Sequence, residues 1–278
     1  MLRLLPLLMV TMVAFAANSV LNRMAIDMAG SGPVTFAAIR ILSGALFLAL
    51  LAIPRPRANL SRLPWLNALG LGIYMLGFSF AYIELDAGAG ALILFGTIQA
   101  AMLLISIALG EKLPVTRWVG AGISLAGLVW LLWPQGGAQI SLAHATCMIA
   151  AALGWSLYTF KGRTAQDPLT TTALSFLLLV PLAVIMLALG NDGATRTGVL
   201  LAITSGAITS GLGYALWYYL LARIPFSVAA VAQLSVPVIA IAGGLTFLGE
   251  AISLQFVLAT FIVLTGVAMA IPGKRKPR

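Results

Sequence analysis

Ten long runs of apolar residues, nearly free of charge and joined by short polar links, constrain this chain more than any other feature. Each reaches the ~20 residues that an α-helix needs to cross a hydrocarbon core at about 1.5 Å rise per residue. The charged and turn-forming residues between them set spans at 4–24, 32–53, 64–84, 87–109, 114–133, 141–160, 169–190, 196–222, 225–248 and 253–271. Only 8% of the residues are charged, against about 25% in soluble domains. No water is available in lipid to satisfy backbone N–H and C=O groups, so helices are the expected solution, and the alternating pattern of a membrane β-barrel is absent. Arg3, an apolar stretch and Ala14-Phe15-Ala16 imitate a cleavable signal peptide. The segment is expected to be retained, because an internal repeat requires it.

The cations set an orientation. With a cytoplasmic N-terminus, the inner ends and links hold Arg3, Arg55, Arg57, Arg62, Lys112, Arg117, Lys161, Arg163, Arg223, Lys274, Arg275, Lys276 and Arg278, and the outer ones hold only Arg23 and Arg196. That asymmetry obeys the positive-inside rule. The net charge of +9 therefore records topology, and no nucleic-acid partner is expected. The basic tail 274–278 is expected to lie against anionic headgroups, making membrane lipid a partner. The single cysteine, Cys147, and single histidine, His144, exclude an intramolecular disulfide and a multi-cysteine metal site. No metal and no cofactor are expected.

The links LGEKLP at 109–114 and LGEAIS at 248–253 expose the repeat. Gly110-Glu111 and Gly249-Glu250 are offset by 139 residues, half the chain, and the same offset carries Gly127 onto Gly266. GEKLPVTRWVGAGISLAGLVWLLWP in the first half matches GEAISLQFVLATFIVLTGVAMAIP in the second in kind: a Gly-Glu turn, an apolar span with a late glycine, then proline. Pro33 and Pro168 each open a span after a short polar link. The chain thus divides into 1–134, 135–273 and the tail 274–278. Five spans is an odd number, so the second unit enters the membrane from the opposite side. An all-α fold of two inverted five-helix repeats, with both termini cytoplasmic, is expected, and inverted repeats permit equivalent inward-open and outward-open states.

Ten spans, two five-helix units and an apolar Gly-Glu turn followed by an apolar span resemble the EamA-type branch of the drug/metabolite transporter superfamily. The resemblance covers the whole chain. It implies a multi-pass protein of the bacterial inner membrane that works by alternating access. Length and aromatic content are similar to exporters of amino acids, including aromatic ones; a multidrug or other small-metabolite carrier is the alternative on the same scaffold. The chain is not expected to be an enzyme, and a monomer is compatible with it.

In such folds a solute sits near the midplane, between helices that the repeat makes equivalent. Spans 3 and 8 are one such pair. Tyr74, Phe78 and Tyr82 recur every four residues on one face of span 3, and Tyr214, Trp217 and Tyr218 share a face of span 8. Tyr82, Tyr218 and Tyr219 fit an interfacial aromatic belt equally well. Spans 4 and 9 offer Thr97, Gln99, Gln233 and Ser235, near Gly96 and Pro237, where the backbone can bend. The glutamines suit a substrate's polar groups or interhelical hydrogen bonds. Spans 1 and 6 add Asn18, Trp155 and Tyr158.

Arg40, inside span 2, costs about 2.5–3.5 kcal/mol near a helix centre and needs a partner. A structural ion pair with Asp27, Glu84 or Asp86 is the leading expectation, and a clamp on a substrate carboxylate is the second. No Asp or Glu lies at mid-depth in any span, so facilitated movement is expected rather than carboxylate-coupled proton antiport.

Overall fold

Pro33 at the start of one helix, Asp167-Pro168 at the start of another and Thr195 before a third punctuate the chain as helix N-termini should. A computed structural model describes residues 4–53, 63–108, 115–132, 141–163, 165–190, 192–224, 232–233 and 235–270. Among them are ten helical segments: α1 (Leu5–Met28), α2 (Pro33–Ala52), α3 (Trp65–Ala81), α4 (Ala87–Ala108), α5 (Val115–Leu132), α6 (Leu142–Gly162), α7 (Pro168–Leu189), α8 (Arg196–Leu221), α9 (Ser235–Leu248) and α10 (Leu254–Ala270). Helices α1, α2, α7 and α8 are long and apolar enough to cross a membrane, and α3, α4, α5, α9 and α10 contain shorter apolar stretches. The described residues contain no strand. The LGEKLP link, the basic tail and residues 225–231 of span 9 lie outside the described residues.

Local chemistry accounts for the ends. The Asp167 carboxylate accepts hydrogen bonds from the N–H groups of Leu169 and Thr170 at 3.2 and 3.4 Å, and Thr195 Oγ1 accepts from Gly198 N at 3.1 Å. Helix α9 stops at Gly249, whose φ of +66° is the left-handed conformation that glycine adopts without a Cβ penalty. Three helices contain π-helical turns: the end of α1 (Met24–Met28), the middle of α8 (Ser205–Leu212) and the end of α9 (Gly244–Leu248).

Helix α3 packs on α6, α5 on α10, α2 on α7 and α8, α1 on α8 and α9, and α4 on α6 and α9. Advancing every number by five, cyclically, carries α3–α6 onto α8–α1 and α4–α6 onto α9–α1. The pairs α2–α7, α5–α10 and α4–α9 map onto themselves. Single residues obey the same rule at the α5–α10 crossing. A Cβ on Gly127 would stand 3.1 Å from Val263 N, and one on Gly266 would stand 2.4 Å from Ser124 N; the 139-residue offset exchanges the two pairs. At the α3–α6 crossing Gly70 and Gly154 face each other, with a hypothetical Cβ on either within 2.7 Å of the other's carbonyl oxygen. Small residues here let backbones touch, the usual basis of helix packing in lipid.

Large apolar residues such as Leu46, Leu50, Leu153, Ile185 and Phe261 point outward, while Asn18, Asn22, Arg40, Ser205 and Ser210 are buried. This inside-out distribution marks a multi-pass membrane protein: lipid, not water, faces the surface, and polar groups must find partners inside.

Candidate functional site

The buried polar groups converge where α1, α2, α3 and α8 meet. The π turn of α8 is the local device: its larger number of residues per turn brings Ser210, at i+5, onto the face that Ser205 and Thr209 share at i and i+4. All three hydroxyls donate to Asn18 Oδ1, at 2.9, 2.5 and 3.1 Å. Such turns recur at functional sites. Asn18 Nδ2 donates to Tyr214 OH at 3.4 Å.

Arg40 enters the same network from α2 and is fully buried. Its Nε donates to Ser210 Oγ at 2.9 Å. Its Nη2 donates to Tyr214 OH at 2.8 Å and to Tyr74 OH at 3.4 Å. The two phenols are themselves joined, Tyr214 donating to Tyr74 at 3.1 Å. Nη1 has no hydrogen-bond partner among the described residues. The guanidinium carbon lies 5.4 Å from the Tyr74 ring centre and 5.1 Å from that of Phe78.

This finding corrects the expected structural ion pair of Arg40. Asp27 and Asp86 instead face Arg23 Nη2 at 3.6 and 4.0 Å, and Glu84 faces His144 at 3.3 Å. The reason is direction: Arg40 points into the bundle toward α3 and α8, whereas those carboxylates sit at the end of the bundle where Arg23 lies.

An aromatic wall surrounds the network. Trp155 packs against Tyr74, Tyr214 and Tyr158, with ring centres 5.0, 4.8 and 5.5 Å apart. Tyr158 stacks on Tyr218 at 4.7 Å. Phe78 bridges Tyr74 and Tyr82, and Trp217 meets Phe15 edge-on at 5.5 Å. Tyr82 and Tyr218 are buried, which removes them from an interfacial belt; Tyr219 is 38% exposed, and its ring lies 3.6 Å beneath the Arg223 guanidinium. The indole N–H groups of Trp155 and Trp217 are buried without partners among the described residues.

Spans 4 and 9 contribute less. Thr97 and Gln99 are half-buried on α4, Gln233 is buried, and Ser235 Oγ donates to Ala232 O of its own segment at 2.7 Å. None of the four is among the hydrogen-bonding partners of Asn18 or Arg40. Sequence reasoning missed Phe15 and the Ser205, Thr209 and Ser210 hydroxyls. Three hydroxyl residues within six positions of a membrane span were the available signal; the i+5 position of Ser210 disguised its place on the face that Ser205 and Thr209 share.

The end of the bundle near Arg23 is laced together by side chains. Arg23 Nη1 donates to the carbonyls of Tyr82 and Ile83 at 3.2 and 2.8 Å. Asp192, before α8, accepts from Val34 N at 2.7 Å and from Thr35 Oγ1 at 2.6 Å, capping α2. Glu250, of the Gly-Glu turn, accepts from Ala87 N at 2.6 Å, capping α4. Both caps join the first half of the chain to the second, and a carboxylate suits the positive end of a helix. Burial holds the Glu250 carboxyl above the ordinary carboxylate range, with the bond from Ala87 opposing the shift.

A buried polar and aromatic centre thus lies among lipid-facing helices from both halves, around a guanidinium whose described hydrogen-bond partners are hydroxyls. Residues 3–133 and 143–271 each match the EamA-like transporter family. The chain belongs to that family. It is 41% identical, over 96% of its length and 94% of the relative's, to an uncharacterised protein of Pseudomonas aeruginosa. It is also similar to a probable terminal-alkyne amino-acid exporter of Streptantibioticus cattleyicolor, at 25% identity over 87% of this chain and 84% of the exporter. A solved crystal structure shares the fold with a TM-score of 0.64 at 19% identity, covering 94% of this chain and 97% of the other.

Proposed function

We propose that this protein exports amino acids or similar small metabolites, aromatic ones favoured, by alternating access across the bacterial inner membrane. In this reading ten spans form two inverted repeats, 1–134 and 135–273, with both termini cytoplasmic and the tail 274–278 on lipid. Solute sits among Asn18, Arg40, Tyr74, Trp155 and Tyr214, and movement is facilitated rather than driven by a membrane-embedded carboxylate.

The observation that carries the proposal is the Asn18–Arg40–Tyr214–Tyr74 network, because it joins α1, α2 and α3 of the first half to α8 of the second. A site shared between halves is opened to either side when one half rocks against the other. The five-helix shift that preserves the packing pairs supports such rocking, and the exporter among the relatives supports the solute class. Aromatic side chains with a few polar groups are the usual lining of a small-molecule site.

Efflux from proteoliposomes loaded with labelled tryptophan, phenylalanine, threonine or a cationic dye tests it. Aromatic amino acids are expected to leave fastest; movement of the dye alone would remove the amino-acid reading. Tyr74→Ala on α3 and Trp217→Ala on α8 should each slow aromatic efflux about tenfold by removing wall contacts. Unchanged selectivity in both variants would dismiss the wall.

A further inference from the structure

Arg40 is a fully buried guanidinium whose described partners are Ser210, Tyr74 and Tyr214, all hydroxyls. These groups satisfy hydrogen-bond directions but bring no negative charge. All seven acidic residues of the chain, Asp27, Glu84, Asp86, Glu111, Asp167, Asp192 and Glu250, lie at helix ends or in links. A buried cation left without a counter-charge is costly, and removing water raises that cost.

Among the described residues, the unspent capacity of the Arg40 side chain and of the indoles is N–H donation; the unpartnered amide acceptor, Asn22 Oδ1, lies one turn along α1 from Asn18, on the side chain that donates to Ser79. Arg40 Nη1 and the indole nitrogens of Trp155 and Trp217 are buried N–H donors without acceptors among the described residues. Asn18 Oδ1, linked to Arg40 through Ser210, is filled by three hydroxyls. A centre with donors to spare and its acceptor occupied recognises an anion. The rings that face a cation here, Tyr74 and Phe78, already face Arg40. Among the described residues, an α-ammonium therefore finds no carboxylate partnering this arginine, and the two rings in cation–π range already face the guanidinium.

Resting on the carrier reading above, we infer that the solute supplies the missing charge: its carboxylate binds Arg40 at Nη1, its aromatic part lies on the Trp155–Tyr74–Tyr214 wall, and its α-ammonium is dispensable. The substrate class is the aromatic monocarboxylate, whether or not it bears an amine. A planar guanidinium holding a carboxylate makes charge-assisted hydrogen bonds that a neutral group cannot replace. Carriage of an amine-free carboxylate moves one negative charge outward, so the inside-negative membrane potential itself drives export. That supplies a driving force without a titrating residue at depth.

Three ligands of one skeleton decide it with the purified full-length protein: phenylalanine, 3-phenyllactate, in which a hydroxyl replaces the ammonium, and phenylalaninol, which keeps the amine and lacks the carboxylate. Calorimetric titration in detergent should find 3-phenyllactate bound at least as well as phenylalanine and phenylalaninol about 100-fold more weakly. In proteoliposomes, an imposed inside-negative potassium-diffusion potential should accelerate 3-phenyllactate efflux and leave phenylalanine efflux unchanged. Arg40→Gln should lose carboxylate binding about 100-fold, and Arg40→Lys, which keeps the charge, should lose less. The comparison of the three ligands on the unaltered protein stands even if a variant misfolds. Equal binding of phenylalaninol, or full carboxylate binding by Arg40→Gln, overturns the clamp; binding of phenylalanine without 3-phenyllactate overturns the dispensable ammonium. Either result leaves amino-acid transport standing, because phenylalanine still moves. If none of the three moves, both readings fall.

Discussion

Two arginines seventeen positions apart, Arg23 and Arg40, sit in opposite electrostatic settings. Arg23 has two carboxylates, Asp27 and Asp86, and two backbone carbonyls around it, and its side chain keeps 14% exposure. Among the described residues, Arg40 has no exposure, hydroxyls as its hydrogen-bond partners, and one nitrogen with nothing to bind. The first has everything that holding a structure requires. The second is held in place by its neighbours but short of charge, and that shortfall is what a carried anion can satisfy. Partner chemistry rather than burial alone therefore separates an arginine that fastens helices from one that waits for a ligand.

The largest effect should come from exchanging those fates. Arg40→Gln should remove aromatic carboxylate efflux by about 100-fold, measured in proteoliposomes, while the melting temperature stays within a few degrees, because a costly unpaired charge leaves with the side chain. Arg23→Gln should do the reverse. Solute discrimination persists, and stability falls by about 1–3 kcal/mol as charged hydrogen bonds to two carbonyls are lost. If Arg23→Gln abolished discrimination and Arg40→Gln only loosened the fold, the comparison would be wrong.

Asn18 offers a finer test. Asn18→Leu leaves the Ser205 and Ser210 hydroxyls without their acceptor, while Thr209 keeps Ser205 O at 3.1 Å, and should cost about 1–3 kcal/mol in chemical denaturation. Asn18→Asp retains that acceptor and sets a carboxylate two hydrogen bonds from Arg40, through Ser210 or Tyr214. Such an internal counter-charge should preserve stability and abolish binding of 3-phenyllactate, read by calorimetry. A variant that kept both would show that Arg40 needs no anion.

The smallest effect belongs to the Arg23 end. A carboxyl held above its ordinary range binds its proton more readily in the folded than in the unfolded state. Stability contributed by Glu250 is then greatest at low pH and falls as pH rises from the ordinary carboxylate range to the raised value. Melting temperature should decline over that window, and Glu250→Gln should flatten the decline. An unchanged slope in the variant would assign the pH dependence to other groups.

Much of this was legible in the residues. Pro33, Pro168 and the charge-free runs marked the helices, since a span must close its own hydrogen bonds in lipid. Tyr74, Phe78, Tyr214 and Trp217 were visible as aromatic faces on α3 and α8. The partners of Arg40 were not. Periodicity gives the face a residue occupies but not the helix it meets, and Ser210 joins the face of Ser205 and Thr209 only because α8 widens into a π turn there. Glu250 showed the same limit: the Gly-Glu motif announced a turn, while its role as the cap of α4 depends on a helix more than a hundred and sixty residues away.

By itself the sequence determined that the chain lives in lipid, that it is built twice over, and that one arginine lies at depth, because hydrophobic length, repetition and the cost of a buried charge are written along one dimension. Tertiary structure alone decided that Arg40 meets phenols and a serine instead of the carboxylates nearest in depth. Which groups share a small volume depends on how helices rotate and cross. That rotation left a guanidinium without an anion at the centre of the bundle.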